Sequence, residues 1–118
     1  MASKKGAIDR GTANLRSALE RAQFVILDIP LANMREMLEA IGPMLEDGCV
    51  VTDTGTAKVQ VMKWAQSHLT PRSSFVGGRP LPKRSVTTVD NADATLFNDA
   101  HYCIIPAESA GQDAVKTV

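Results

Sequence analysis

The sequence predicts an α/β fold: a mostly parallel sheet of about four strands with flanking helices. Three observations predict it. Short apolar runs rich in β-branched residues recur along the chain. Stretches with helical spacing separate the first three of them. Glycine and polar residues gather where the runs stop, at Thr52-Asp53-Thr54-Gly55-Thr56-Ala57-Lys58 and at Phe75-Val76-Gly77-Gly78-Arg79-Pro80. Strand, helix, strand in this rhythm implies βαβ units and one domain over residues 1–118.

Taken in order, residues 15–22 place Leu15, Ala18, Leu19 and Ala22 at helical spacing. Residues 24–29 are apolar apart from Asp28 and read as a strand buried on both faces, ended by Pro30. Over residues 32–45, Met34, Met37, Leu38, Ile41, Met44 and Leu45 line one helix face. Gly42-Pro43 predicts a kink or an early stop there, and Asp47-Gly48 a turn. Cys49 to Thr52 is the second strand. A helix over 57–69 follows, capped by Thr54 or Thr56 and stopped by Thr70-Pro71. Ser74 to Gly77 is the third strand, 79–91 a loop, 92–97 a short helix, and 102–106 the fourth strand. A last helix opens within residues 107–118.

The bulk properties exclude several classes. There are 13 basic and 13 acidic residues in 118, so no nucleic-acid footprint is expected. No apolar run approaches the ~20 residues of a membrane span, and the start has no apolar signal core. Cys49 and Cys103 lack metal-ligand spacing and read as buried, reduced thiols, so no metal is expected. These features predict a cytoplasmic location. One Trp, one Tyr and three Phe fit an aliphatic α/β core.

In an open α/β sheet, ligands bind outside the carboxyl ends of the strands. At Asp53 to Lys58 a strand turns into a helix N-terminus, where free N–H groups and the helix dipole favour an anion. Thr56 adds a hydroxyl and Lys58 a mobile charge. The same residues also suit an ordinary connection in which a threonine caps the helix and Asp53 and Lys58 are solvated or pair with each other. Gly77 and Gly78 permit close backbone approach, and Arg79 can grip a carboxylate or phosphate. Asp28 either bonds local backbone or borders a site. His68 and His101 have no evident partner, and Trp64 is expected to be half exposed or to cover a subunit contact.

Four blocks resemble the prephenate/arogenate dehydrogenase family: Phe24 to Leu31, Val50 to Lys58, Phe75 to Leu81, and Ala92 to Phe97 with Tyr102 to Pro106. The family reads Thr-Asp-x-Gly-Ser-x-Lys in the second block and Phe-Val-Gly-Gly-His-Pro-Met in the third. The resemblance implies part of a Rossmann-like domain binding NAD or NADP, and oxidative decarboxylation on the route to tyrosine. It implies catalytic roles for Thr56, at the family serine, and Arg79, at the family histidine. It implies cofactor contacts at Asp28, Ile29, Pro30, Asp53 and Gly55, and contacts to a small carboxylate substrate at Lys58, Gly78 and Arg79.

Three departures shape the expectation. Arginine is only a donor, so Arg79 cannot accept a proton as histidine does. The stretch Pro82 to Thr88 keeps almost nothing of the family pattern. No G-x-G-x-x-G follows a strand, and no helical C-terminal domain is present, so the chain reads as a partial domain, inactive alone or a segment of a longer protein. The alternative is a non-catalytic module that binds an anion or dimerises. With the family's first strands absent, the edge of the 24–29 strand is expected to be covered in a homodimer or an exchanged assembly.

Overall fold

A computed structural model describes residues 6–82 and 93–118. Its elements are α1 (Leu15–Leu19), β1 (Phe24–Leu27), α2 (Leu31–Ile41), a 3₁₀ turn (Gly42–Met44), β2 (Val50–Asp53), α3 (Lys58–His68), β3 (Ser74–Leu81), β4 (His101–Pro106) and α4 (Gln112–Thr117). The four strands form one sheet in chain order. β1, β2 and β3 are parallel, and β4 returns antiparallel to β3. The mostly parallel α/β reading holds.

Alternation along the strands sorts side chains onto two faces. On one face, Leu27, Val51 and Phe75 pack against Met34, Leu38 and Ile41 of α2 and Val61 and Ala65 of α3. Trp64 packs half-buried against this cluster, as expected. On the other, Val50 and Val76 meet Ala114 of α4 in a much smaller cluster.

That imbalance corrects the reading of β1. The strand spans only four residues, and it is not buried on both faces: Phe24 is 39 % and Ile26 57 % exposed. The short α4 covers Val50 and Val76 and leaves the neighbouring strand open. The Thr54 N–H to Leu27 carbonyl bond at 3.2 Å is the last of the β1–β2 pairing, and Pro30 then leads into α2.

Several boundaries move for local reasons. α1 ends at Leu19 rather than residue 22, and Arg21 takes a positive φ of 60°. The Asn14 side chain starts it, accepting the Ser17 N–H at 3.0 Å. α2 gives way to the 3₁₀ turn at Gly42-Pro43, as the proline predicts. Gly42 is required for a second reason: a Cβ there would collide with the His68 carbonyl at the end of α3. Gly48 turns the chain with φ 82°. The third strand runs on to Leu81, so residues 79–81 are not loop: Val76 to Leu81 all pair with β4. The short helix expected at 92–97 does not form in its described part. Residues 94–99 are turns, and Asp93 takes both the N–H and the hydroxyl of Thr95, at 2.9 and 2.8 Å. Such local bonding competes with a helix. The rest of the 79–91 loop, from residue 83, lies outside the described residues.

Cys49 is buried and Cys103 is exposed, which corrects the second thiol. β4 is an edge strand with every residue exposed, so its apolar run is covered only in part. Desolvation, and then the nearby Glu46 carboxylate, push the Cys49 thiol above its ordinary value. The folded chain therefore resists ionisation that the unfolded chain permits. The associated stability is present below the unfolded thiol's value and is lost as pH rises through the folded one. Urea midpoints at about pH 7.5 and about pH 9.5 should show an alkaline loss that is smaller in Cys49→Ala than in wild type. An aromatic disulfide reagent should label Cys103 rapidly in the native protein and Cys49 only on unfolding.

Candidate functional site

Parallel pairing puts Leu27, Asp53 and Gly77 side by side across three strands. The strand ends are therefore level, and the segments leaving them share one edge. Asp28, Ile29 and Pro30 leave β1, and Gly55, Thr56 and Lys58 follow β2. Gly78 and Arg79 continue β3 past the point where its neighbours stop. The candidate catalytic, cofactor and substrate residues all leave the strands along this edge.

Asp53 organises them. It is 0 % exposed. Its Oδ2 accepts the Gly55 N–H at 3.1 Å and pairs with the Lys58 ammonium. Its Oδ1 accepts the Gly78 N–H at 3.3 Å. A carboxylate out of water is costly unless charge and hydrogen bonds surround it, and here three donors do. One side chain thus closes the turn after β2, fixes the first residue of α3, and ties that turn to β3.

Lys58 is therefore not mobile. Its side chain is 12 % exposed and its charge is engaged by Asp53. The expected threonine cap of α3 is also absent. Ala57 occupies that position with no side-chain bond. The Thr54 hydroxyl turns the other way and donates to Asp28 Oδ1 at 2.6 Å, which stitches the ends of β2 and β1 together. Asp28 thus serves a partner 26 residues along the chain, not local backbone. Thr56 is exposed, Gly55 and Ile29 are half-buried, and Pro30 is exposed at the start of α2.

Arg79 is half-buried. A Cβ on Gly77 would touch Lys58 Cδ at 3.3 Å and Met62 Sδ at 3.1 Å, so this face of β3 looks onto α3. Alternation puts Arg79 on the same face, one step nearer the strand end. Among the described residues its guanidinium has no hydrogen bond or ion pair. With Lys58 neutralised by Asp53, Arg79 is an uncompensated cation at this edge among the described residues. Among the described residues no group of three or more His, Cys, Asp or Glu could hold a metal.

Sequence reasoning missed Thr52 and Tyr102. Thr52 is 1 % exposed and its hydroxyl has no hydrogen-bond partner. A Cβ on Gly78 would stand 2.8 Å from that hydroxyl and 2.8 Å from the Asp53 carbonyl, and would run into the Tyr102 hydroxyl. Alternation could have placed Thr52 and Gly78 on one face. Tyr102 could be placed only once β4 was known to run antiparallel, which brings it opposite Pro80.

The family model described as prephenate dehydrogenase, nucleotide-binding domain, matches residues 1–118. The chain belongs to this family. The prephenate dehydrogenase of Bacillus subtilis (strain 168) is 31 % identical over 116 residues, covering 98 % of this chain and 31 % of the relative. A cyclohexadienyl dehydrogenase of Zymomonas mobilis is 31 % identical over 110 residues, covering 93 % and 37 %. The crystal structure of prephenate dehydrogenase from Aquifex aeolicus superposes with a TM-score of 0.86 at 25 % identity, over 98 % of this chain and 41 % of that one. A structure of the A. aeolicus enzyme in complex with hydroxyphenyl propionate and NAD+ gives 0.85 at 25 % identity, over 98 % and 40 %. The chain spans about a third of the length of the curated relatives it matches. Against this family of nucleotide-binding domains, Arg79 stands where the resemblance puts histidine.

Replacing Asp53 by Asn leaves the Lys58 ammonium buried without its counter-charge. Urea unfolding should show Asp53→Asn destabilised by about 3–5 kcal/mol. Adding Lys58→Met should recover a large part of the loss, because the stranded charge is then gone.

Proposed function

We propose that this chain supplies the strand-end edge of an NAD(P)-dependent prephenate or arogenate dehydrogenase site, and that it does not turn over substrate alone. The observation behind this is the Asp53-centred network, which holds the Thr54–Lys58 turn and the Gly78–Arg79 segment at one edge in a chain of this family. Thr56 is suited to position a substrate hydroxyl, and Arg79 to hold a carboxylate. Asp28, Ile29, Pro30 and Gly55 border the space beside them.

The residues present fit the ring end of the cofactor. At Gly78 a Cβ would run into the Tyr102 and Thr52 hydroxyls, so glycine alone lets the backbone lie this close to them, and the Thr52 hydroxyl has no partner. The pyrophosphate needs a glycine-rich turn, and the 118 residues hold no G-x-G-x-x-G. When bound, NAD(P) supplies the hydride acceptor. This chain's part is to orient the substrate and to exclude water from the edge. Arg79 stays protonated and cannot take a proton from the substrate hydroxyl, so the step assisted by the family histidine has no acceptor at this position.

The same observation favours a second reading, a non-catalytic module that binds a small anion at this edge. Arg79 is an uncompensated cation beside the α3 N-terminus, where the dipole adds attraction. Both readings place the chain in the cytoplasm. Among the described residues, no helix is long and apolar enough to cross a membrane.

Incubation with prephenate or arogenate and NAD or NADP should give no growth in reduced-cofactor absorbance above buffer. Turnover would overturn the claim of inactivity. Prephenate should raise the melting temperature of the wild type, with the rise lost in Arg79→Ala. An equal rise in both would remove Arg79 from the site.

The edge of β1 presents unpaired backbone groups beside exposed Phe24 and Ile26. We propose that a second copy covers it, by pairing or by exchange. Light scattering on a size-exclusion column should report a dimer, reduced toward monomer by Ile26→Lys. A monodisperse wild-type monomer would overturn the assignment.

A further inference from the structure

The outer edge of β4 matches itself. In an antiparallel ladder, residue pairs that exchange both backbone bonds alternate with pairs that exchange none. Ala107 donates its N–H to the Phe75 carbonyl at 3.0 Å, one step beyond the pairing of Val76 with Pro106. The odd-numbered residues of β4 therefore bond β3, and Tyr102, Ile104 and Pro106 turn their backbone groups outward. The prolines agree, because Pro80 and Pro106 both fall in pairs that exchange no bond across this ladder. Among the described residues no strand lies beyond β4.

Little guards this edge. Residues 101–106 hold no Lys, Arg, Asp or Glu, and Tyr102, Ile104 and Ile105 are exposed. A second β4, running antiparallel, can pair with the first about a two-fold axis. Three registers compete. With the axis at Ile104, the Tyr102 carbonyl faces Pro106, which has no N–H. With the axis at Tyr102, the Ile104 carbonyl faces Ala100, whose N–H is already donated to the Phe97 carbonyl at 3.1 Å. With the axis at Cys103, Tyr102 of each copy exchanges both bonds with Ile104 of the other. Only this register pairs every outward N–H and carbonyl of those two residues.

The same register sets the two Cys103 residues directly opposite each other, as a pair that exchanges no backbone bond. The Cα atoms of such a pair lie ~4.5 Å apart. A disulfide spans Cα separations of about 4.4–6.8 Å. Cys103 is free and exposed.

We propose that β4 is a docking edge for a second copy of this chain, paired about Cys103 and locked by oxidation. A six-residue edge buries far less than the ~1,000 Å² of a lasting interface, so pairing alone is transient. A glutathione disulfide supplies the oxidant. The Cys103 thiolate of one copy attacks it and releases one glutathione thiolate. The Cys103 thiolate of the other copy attacks the mixed disulfide and releases the second. Two Cys103 thiols are oxidised to one disulfide, one glutathione disulfide is reduced to two thiols, and the two protons pass to the glutathione. In a reducing compartment the link forms only under oxidative load. This contact is separate from the one proposed at β1, which is the opposite edge of the sheet.

The test treats Ile26→Lys, in which β4 alone is left to pair, with oxidised glutathione. Non-reducing electrophoresis should show a covalent species of two chains that dithiothreitol returns to one. Adding Cys103→Ser should abolish it. The register is tested by charge, because His101 of one copy faces Ile105 of the other. His101→Lys with Ile105→Lys should lower the ratio of two-chain species to glutathione adduct. His101→Glu with Ile105→Lys should raise that ratio about tenfold above the first pair. Both pairs change only exposed side chains. Formation of the glutathione adduct without a two-chain species overturns the docking edge. Equal ratios in the two charge pairs also overturn it, since Cys103 would then link by collision alone.

Discussion

The Asp53 carboxylate is the constraint on which the rest of this edge depends. Its environment is unusual for a charged group: no solvent exposure, one ammonium, and two backbone N–H groups from different segments. Each donor belongs to a piece of chain that would otherwise be free to drift. Gly55 belongs to the turn, Lys58 to the first residue of α3, and Gly78 to the strand alongside. A single ionised side chain thereby does what several hydrophobic contacts would do elsewhere, in a place where the chain has few apolar residues to offer. It also explains why a lysine at this position need not be a ligand group, since its charge already has a use.

A second organising fact is the unequal cover of the sheet. α2 and α3 build a continuous core on one face. The other face has only the six-residue α4 above Val50 and Val76. Parallel strands are normally buried on both sides, so exposed Phe24 and Ile26 are departures from the rule. They account for the apolar character that the sequence shows and the described structure does not bury.

Much of the architecture was legible in the residues. Strand runs, helical spacing and the Gly42-Pro43 break place β1, α2, β2, α3 and β3 in order, because local pattern and tertiary role agree there. The elements that were misjudged are those where long-range pairing decides. The length of β3 depends on β4 folding back against it. The exposure of Cys103 depends on β4 lying at an edge. The destination of the Thr54 hydroxyl depends on Asp28 being adjacent in space. At the site, the two motifs could be read from glycine and charge alone. The Asp53–Lys58 pairing was one of several open alternatives, and Thr52 and Tyr102 were invisible, since a threonine in an apolar strand carries no sign of whether its hydroxyl has a partner.

The close approach of Gly42 to the end of α3 has a mechanical consequence. The first turn of α3 is pinned ionically by Asp53, and its last turn abuts α2 so tightly that no side chain fits between. A helix held at both ends cannot tilt or slide without breaking one of these contacts. Any ligand reaching the strand ends therefore meets a surface already in its final shape, and little ordering entropy opposes its arrival on the α3 side. Whatever adjustment recognition requires is left to the lightly packed margins of the sheet, β1 and β4.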